Sequence, residues 1–431
     1  VNILHINVAD EARGAAQAAF RLHEAQLGLG HSSHMLVGYR FKDRPDIEML
    51  PPRRTRWQKR LHRFVNRLEE LTGQQYLWQP WRKDFLSHRF TREADVVNLH
   101  NTHGGYFSHR VLPELTRRLP VVWTLHDLWG MTGHCGSPYM HDCERWKSGC
   151  GKCPSLSDHP ALAIDTTAWL WRIKASLYRR SDLVLTTPSE WVAAMVRQSP
   201  LLQRFEVRCI PHGLDTEVFK PTARQAARDA LGIPAAAKVV LFAAFDLFQQ
   251  RKGGVYLFDA LQRLADEGRK DLLLVTVGCE RAELPSRYRF ARQNLGLVRD
   301  ERRLAQCFSA ADLYVGPSLA ETFGLVYMEA MACATPVVAF DCTAVGEVVR
   351  HGETGYLARN RDLDDLTHGI RALLDDDARR EALGRRSREV VEREYTLDLQ
   401  ARRYVELYQS AIDGQAARAA GPRNPLLTAD A

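Results

Sequence analysis

Residues 318–341 read SLAETFGLVYMEAMACATPVVAFD. A strand ends at Ser318, a loop carries Glu321, and a helix opens at Gly324 with Glu329 in its early turns, eight residues beyond Glu321. A second apolar strand, TPVVAFD, follows at once. Strand, loop, helix and strand make a βαβ unit, the connection that builds parallel sheets. The start of such a helix offers free N–H groups and the positive end of its dipole to a phosphate. Ligands of open α/β sheets lie at these carboxyl ends of strands. One carboxylate placed there can accept hydrogen bonds from a ribose diol, the other from a sugar. A capped helix with one surface and one paired Glu would give the same two residues without a ligand, so the rest of the chain must decide.

The same rhythm runs outward in both directions. VNILHINV, HMLVG, ADVVNLHN, PVVWTLHD and SDLVLTTPS are apolar strands in the first half, and KVVLFAAF, DLLLVTVG, ADLYVGPS and TPVVAFD in the second. Apolar runs without alternation suit parallel strands covered on both faces. The 431 residues fit two domains. The expected fold class is α/β, with two Rossmann-like domains facing a central cleft. The first covers 1–205, with a basic insertion at about 42–90 and a Cys-rich loop at 134–154. The second covers 206–395. A C-terminal helix at about 396–413 packs back on the first domain, and 414–431 is a tail.

Lys plus Arg number 59 against 52 Asp plus Glu, a modest excess of +7. It concentrates in RRTRWQKRLHRFVNRLEE, Arg53 to Glu70, which holds seven basic residues. Leu61, Phe64, Val65 and Leu68 fall at helical spacing there, and Trp57, Trp78 and Trp81 lie in or near the segment. A basic amphipathic helix with aromatics suits an anionic membrane surface. The plainer reading is an apolar stripe packed on the domain, with solvated Arg residues. No apolar run approaches the roughly 20 residues of a membrane span, and VNILHINVAD lacks the features of a signal peptide. A cytoplasmic protein is expected, and the membrane reading of the basic helix would place it at the inner face of the membrane. Reduced thiols in that compartment favour a metal over disulfides for Cys135, Cys143, Cys150 and Cys153, with disulfides and free thiols as alternatives. Four thiolates would make a closed, structural zinc site. The other five cysteines read as small core residues.

The GLVYMEAMACATPVVAFD run followed by VGEVVRHGETGYL resembles the donor-binding half of glycosyltransferase family 4. CIPHGLDTEVFKP resembles that family's interdomain segment, with His212 where Asn is usual. RGAAQAAFRLHEAQLGLGHSSHMLVG resembles its N-terminal loop and helix, with Arg13 in place of a Gly beside Gly14. WTLHDLW resembles its first-domain strand ending in a functional His. A Cys-rich loop of the form TGHC…C…W…C..CP resembles one polysaccharide-building branch. The resemblance covers nearly the whole chain except about 42–90 and the tail. It implies the GT-B fold and retaining sugar transfer without a catalytic metal. It implies that Glu321 contacts donor-sugar hydroxyls and Glu329 the ribose. Backbone N–H groups at Phe323, Gly324 and Leu325 would meet the distal phosphate, and Gly14 would let the first loop approach the diphosphate. His126 would stand near the anomeric side, with His100 and His103 toward the acceptor. Lys252 fits the family's Lys-Gly position. Leu247 stands where an Arg is common, and Arg251 is its substitute. The partners implied are a GDP- or UDP-linked sugar and a glycan or lipid-linked acceptor, with no nucleic acid. The rival readings are a zinc-containing nucleic-acid-binding protein and a GT-B sugar-nucleotide epimerase.

Overall fold

The computed structural model describes residues 1–11, 14–50, 55–79, 82–280 and 283–419. Arg13, Arg53, Arg54, Trp81 and residues 420–431 of the tail lie outside these. The chain divides into two units. The first comprises Val1–Pro188, Val192–Ile210 and the chain from Gln400; the second comprises Ser189–Trp191 and Pro211–Leu399.

The first unit holds strands β1 (Asn2–Ala9), β2 (Ser32–Tyr39), β3 (Ile47–Met49), β4 (Val96–Leu99), β5 (Val121–Thr124), β6 (Val184–Thr187) and β7 (Glu206–Cys209). They form one sheet in the order β3-β2-β1-β4-β5-β6-β7, every pair parallel. The second unit holds β8 (Lys238–Ala243), β9 (Leu272–Val277), β10 (Ala291–Asn294), β11 (Leu313–Gly316), β12 (Val337–Asp341) and β13 (Gly355–Arg359). Their order is β10-β9-β8-β11-β12-β13, again all parallel. Both units are therefore Rossmann-like, and both reverse direction beside their first strand, where such sheets bind ligands. The sequence signals nine of these strands. β3, β7, β10 and β13 carry no continuous apolar run, and the first sheet runs on through β7 to Cys209, past residue 205.

The C-terminal helix Leu397–Ala419 returns to the first unit from Gln400 onward. Ala401, Tyr404 and Tyr408 join Ile3, Leu22, Val96, Val122 and Ile210 in one buried cluster. Two of its rings also reach polar atoms of the sheet. Tyr404 Oη lies 3.1 Å from both Thr124 Oγ1 and Thr186 Oγ1, and Asn98 Nδ2 donates to Tyr408 Oη at 2.6 Å. The strand side chains also bond one another, Thr186 Oγ1 to Thr124 Oγ1 and Thr124 Oγ1 to Asn98 Oδ1, both at 2.9 Å, and the two tyrosine hydroxyls extend this buried network.

The insertion contains a helix, Arg56–Thr72, started by a Thr55–Gln58 capping box and stopped by Gly73 at φ +64°. Its orientation departs from the packed-stripe expectation. Of the expected stripe, Phe64 and Leu68 are exposed, as are Trp57 and Leu71, and Leu61 and Val65 are half-buried, while His62 and Glu69 are buried. Polar contacts fasten the inward side: Gln79 Nε2 donates to Glu69 Oε2 (2.7 Å) and Asn66 Oδ1 (2.9 Å), and Asn66 pairs with His62 at 3.1 Å. Burial raises the pKa of Glu69 despite those donors.

The double role of Tyr404 is measurable. Tyr404→Phe keeps the ring and removes the hydroxyl, and should cost about 1 kcal/mol. Tyr404→Ala empties the site and should cost about 3–5 kcal/mol. Urea unfolding of both variants checks the ratio; equal losses would mean that the ring packing adds nothing to the hydroxyl contacts.

Candidate functional site

In the second unit the sheet reverses between β8 and β11. The loop after β8 carries Arg251 and Lys252; the loop after β11 carries Ser318 and Glu321. The loops are stitched together by backbone, since Leu319 N donates to Arg251 O at 2.8 Å. Gly253, at φ +66°, permits this approach: a Cβ there would sit 1.9 Å from Pro317 O. Lys252 Nζ then meets Glu321 Oε1 at 2.7 Å, and Arg251 Nη1 meets Oε2 at 2.9 Å. Ser318 Oγ donates to Oε1 at 3.0 Å. Thr343, after β12, accepts from Glu321 N (2.8 Å) and donates to Glu321 O (2.7 Å). Burial alone would raise the pKa of this carboxyl; Lys252 and Arg251 outweigh it and hold Glu321 down to about 2. The sequence pattern missed Ser318 and Thr343, because a lone hydroxyl residue in a loop carries no periodic signal.

Leu247, at the position where the resemblance leads one to expect the Arg, is buried, and Arg251 is the guanidinium at the carboxylate. The helix Leu325–Ala332 begins behind Gly324, whose φ is +98°. A Cβ on Gly324 would lie 2.4 Å from the Tyr327 ring, so glycine is needed for packing as well as for the turn. Phe323 is buried, its ring edge-on to His212 (5.2 Å) and near Tyr395 (6.0 Å). Leu325 is partly exposed at the helix start, and Glu329 is buried one turn further on.

In the first unit His100 follows β4 and His126 follows β5. A row of side chains joins them to the sheet centre. Gln26 Oε1 lies 2.8 Å from His5 Nε2, His5 Nδ1 lies 2.9 Å from His100 Nε2, and His100 Nδ1 lies 3.0 Å from His126 Nε2. Burial lowers the pKa of His5 to about 3 and of His126 to about 4. His103 pairs separately with Asp127 at 2.8 Å. Lys174 holds the following loop, donating to Trp129 O (2.6 Å) and Thr132 O (3.0 Å) beneath the Trp129 ring. Burial drops its pKa to about 7. His5 and Lys174 were not among the sequence candidates; an imidazole in the middle of the apolar strand NILHINV is the signal that could have shown the first. Gly14 caps the helix Ala15–Gly28 at φ +61°, with nothing within 4 Å of a Cβ there.

The zinc expectation is overturned. Among the described residues no group of three or more His, Cys, Asp or Glu is placed to hold a metal ion. Cys135, Cys143, Cys150 and Cys153 are free cysteines. Their sulfurs have local partners: Gly133 N donates to Cys150 Sγ, and His134 Nε2 lies 3.2 Å from Cys153 Sγ. Burial pushes the Cys135 thiol up to about 12 and Cys150 up to about 11. The loop is a folded, thiol-containing connection, and its cysteines mark no metal centre.

Two family models match the chain: Glycosyltransferase Family 4 over residues 12–218 and Glycosyl transferases group 1 over 237–376. The putative colanic acid biosynthesis glycosyl transferase WcaC of Escherichia coli (strain K12) is 28% identical over 81% of this chain and 85% of its own length. D-inositol 3-phosphate glycosyltransferase 1 of Catenulispora acidiphila is 39% identical over 41% of this chain, which spans 45% of that protein. Among solved structures, Anabaena HepE in complex with UDP-glucose superposes with a TM-score of 0.64 at 18% identity, covering 95% of this chain and 99% of its own. The chain is a nucleotide-sugar-dependent glycosyltransferase of the GT-B fold, related to family 4.

The Glu321 cluster gives a pH signature. A carboxyl held near 2, against an ordinary value of 4.5, adds stability that is fully present above pH 4.5 and is lost as pH falls through 2. The amount is of order 3 kcal/mol. Glu321→Gln should flatten the acid limb of the unfolding free energy in that window. An unchanged limb would show that Glu321 is not held by Lys252 and Arg251.

Proposed function

We propose that the enzyme transfers a sugar from a GDP- or UDP-linked donor, with retention at the anomeric carbon, to a glycan or lipid-linked acceptor of a surface polysaccharide. The Glu321–Lys252–Arg251 cluster carries this reading. It supplies two fixed cations at the carboxyl ends of β8 and β11, where a diphosphate binds in such sheets. Glu321 keeps both cations aimed while no donor is present. When the donor arrives, its diphosphate takes over the cations and the carboxylate turns to the sugar hydroxyls. Glu329 holds the ribose, the N–H groups of Phe323, Gly324 and Leu325 meet the distal phosphate, and Gly14 lets the first loop approach the diphosphate. His126 stands by the anomeric side. The acceptor hydroxyl attacks the anomeric carbon as its bond to the phosphate oxygen breaks. The departing phosphate takes the hydroxyl proton, while Lys252 and Arg251 offset its charge.

The pathway assignment draws on the relative named for colanic acid biosynthesis. The site at an anionic membrane draws on the helix Arg56–Thr72. Trp57, Phe64, Leu68 and Leu71 recur at i, i+7, i+11 and i+14, one exposed face. Arg56, Lys59, Arg60, Arg63 and Arg67 border it. An exposed apolar stripe beside a basic one fits a surface of acidic headgroups over acyl chains. No helix among the described residues is long and apolar enough to cross a membrane, so contact would be peripheral, at the cytoplasmic face.

Glu321→Ala should lower kcat by about 10²–10³-fold, because its contacts grow as charge develops on the sugar. Glu329→Ala should weaken donor binding about 10- to 100-fold with a smaller effect on kcat. The assay must resolve glycosylated acceptor from epimerised nucleotide sugar. Wild-type kinetics in both variants would remove these residues from the site, and epimerised donor without transfer would remove the reaction.

The helix should bind vesicles containing phosphatidylglycerol. At about 1 kcal/mol per basic residue, serine at Arg56, Lys59, Arg60 and Arg63 together should weaken binding roughly hundredfold or more. Raising salt should do the same. Binding that ignores both changes would assign the acceptor to solution.

A further inference from the structure

His103 and Asp127 stand on the loops that follow β4 and β5 of the first unit, at the carboxyl ends where such sheets bind ligands. Both oxygens of Asp127 are engaged: Oδ1 accepts from Trp129 N at 2.9 Å, and Oδ2 lies 2.8 Å from His103 Nε2. Gly136 closes over the same carboxylate, since a Cβ there would lie 3.3 Å from Asp127 Cγ. Burial pushes this carboxyl up, but His103 and Trp129 N bring it below the ordinary carboxylate value, so it accepts hydrogen bonds and donates none. His103 therefore donates from Nε2. Turning the ring over would set Cε1 against the carboxylate in place of a donor. In the neutral ring Nδ1 is then a bare acceptor. It has no hydrogen-bond partner among the described residues and is not sealed from solvent. The rings of Trp129 and His159 flank it, with centroids 5.7 and 5.6 Å away. A fixed acceptor between rings suits a sugar, whose hydroxyls donate and whose C–H faces lie on aromatic surfaces.

The same loops carry the insertion. A Cβ on Gly105, two residues beyond His103, would lie 2.9 Å from the Asn66 amide, on the inward side of the helix Arg56–Thr72. Gln75 Oε1, just past that helix, accepts from Trp129 Nε1 at 2.9 Å. The helix with the exposed aromatic side and the His103–Asp127 pair are thus one packed assembly, whereas the cations assigned to the donor diphosphate lie in the second unit. We propose that His103 and Asp127 form an acceptor-binding site: His103 Nδ1 takes a hydrogen bond from an acceptor-sugar hydroxyl, and Asp127 is the positioning residue that holds the ring in that tautomer. That the ligand is the acceptor rests on the transfer reading above; that it brings a hydroxyl rests on the pair itself.

The test is nitrogen NMR of the full chain labelled at histidine, at about pH 8, above the ordinary histidine range. His103→Gln assigns the signals, and octyl glucoside, octyl galactoside and octyl mannoside are the probes. The wild-type protein should show His103 protonated at Nε2 and bare at Nδ1, and at least one probe should move the Nδ1 signal toward that of a hydrogen-bonded nitrogen. Protonation at Nδ1, or no movement with any of the three at millimolar concentration, would overturn the proposal. Transfer to the probe that binds, from UDP-glucose or GDP-mannose, gives the second readout. His103→Gln keeps an N–H for Asp127 but no acceptor in place of Nδ1. It should raise KM for the probe about 3- to 10-fold, the worth of one hydrogen bond, with KM for the donor unmoved. Asp127→Asn should do the same, and the double variant should lose no more than His103→Gln alone, because Asp127 acts through the ring. A rise in KM for the donor instead would assign the pair to the donor sugar and overturn the proposal. Binding of a probe without transfer would uphold the hydroxyl site and tell against the transfer proposed above.

Discussion

In each unit a wholly parallel sheet reverses its strand order beside its first strand, and the cluster of Glu321, Lys252 and Arg251 depends on the second of these reversals. Parallel strands send their carboxyl ends to one edge, and their connections must leave in opposite directions on either side of the reversal. In the second unit this parts the connections that follow β8 and β11. Arg251, Lys252, Ser318 and Glu321 all lie on these two. In the first unit it parts the connections after β1 and β4; Gly14 follows β1 and His100 follows β4. The backbone decides that polar side chains collect there, and side-chain chemistry decides what they do. At Gly253 the two loops approach so closely that a single methyl group would collide with Pro317 O. The ion cluster depends on that approach.

The sequence shows the interior of both sheets and hides their rims. The nine strands it signals include every interior strand of both sheets. The four it does not signal, β3, β7, β10 and β13, are the four sheet edges. An edge strand has one neighbour and is less covered, so it need not be apolar: in β10, three of the residues ARQN are exposed. The same physics governs the site. Glu321 and Glu329 stand out as candidates by their spacing on a strand–helix turn, and Lys252 only by its resemblance to a family Lys-Gly position. Ser318 and Thr343 do not, because their importance comes from meeting Glu321, and Thr343 is 22 residues away. His5 and His100 are 95 residues apart and touch only because β1 and β4 are neighbours.

Two expectations failed or had to be chosen between for a related reason. A periodic pattern shows that a helix has two faces, but not which one is turned inward. In Arg56–Thr72 the inward side is held by Glu69, His62 and Asn66, polar groups that can satisfy one another, which frees the aromatic side for solvent. Cysteine spacing likewise shows that thiols are near in sequence, not that their sulfurs converge. Here Gly133 N and His134 Nε2 take up the sulfurs of Cys150 and Cys153 within the loop, and among the described residues no group of three or more is placed to hold a metal ion.

The two units handle charge in opposite ways, as the proposed transfer would require. In that reaction the leaving diphosphate gains negative charge, and the second unit holds the cations Lys252 and Arg251 against Glu321. The sugar gains positive charge, and a cation beside it would raise the barrier by repulsion. Burial keeps His126 neutral well below physiological pH, so the imidazole assigned to the anomeric side adds no opposing charge. The pairs that surround each site serve the same division. Glu321 keeps its proton off down to about pH 2 and so stays a counterion, while His126 meets the ring of His100 at 3.0 Å. A carboxylate bonded directly to an imidazole would favour its charged form; His126 is bonded instead to the ring of His100.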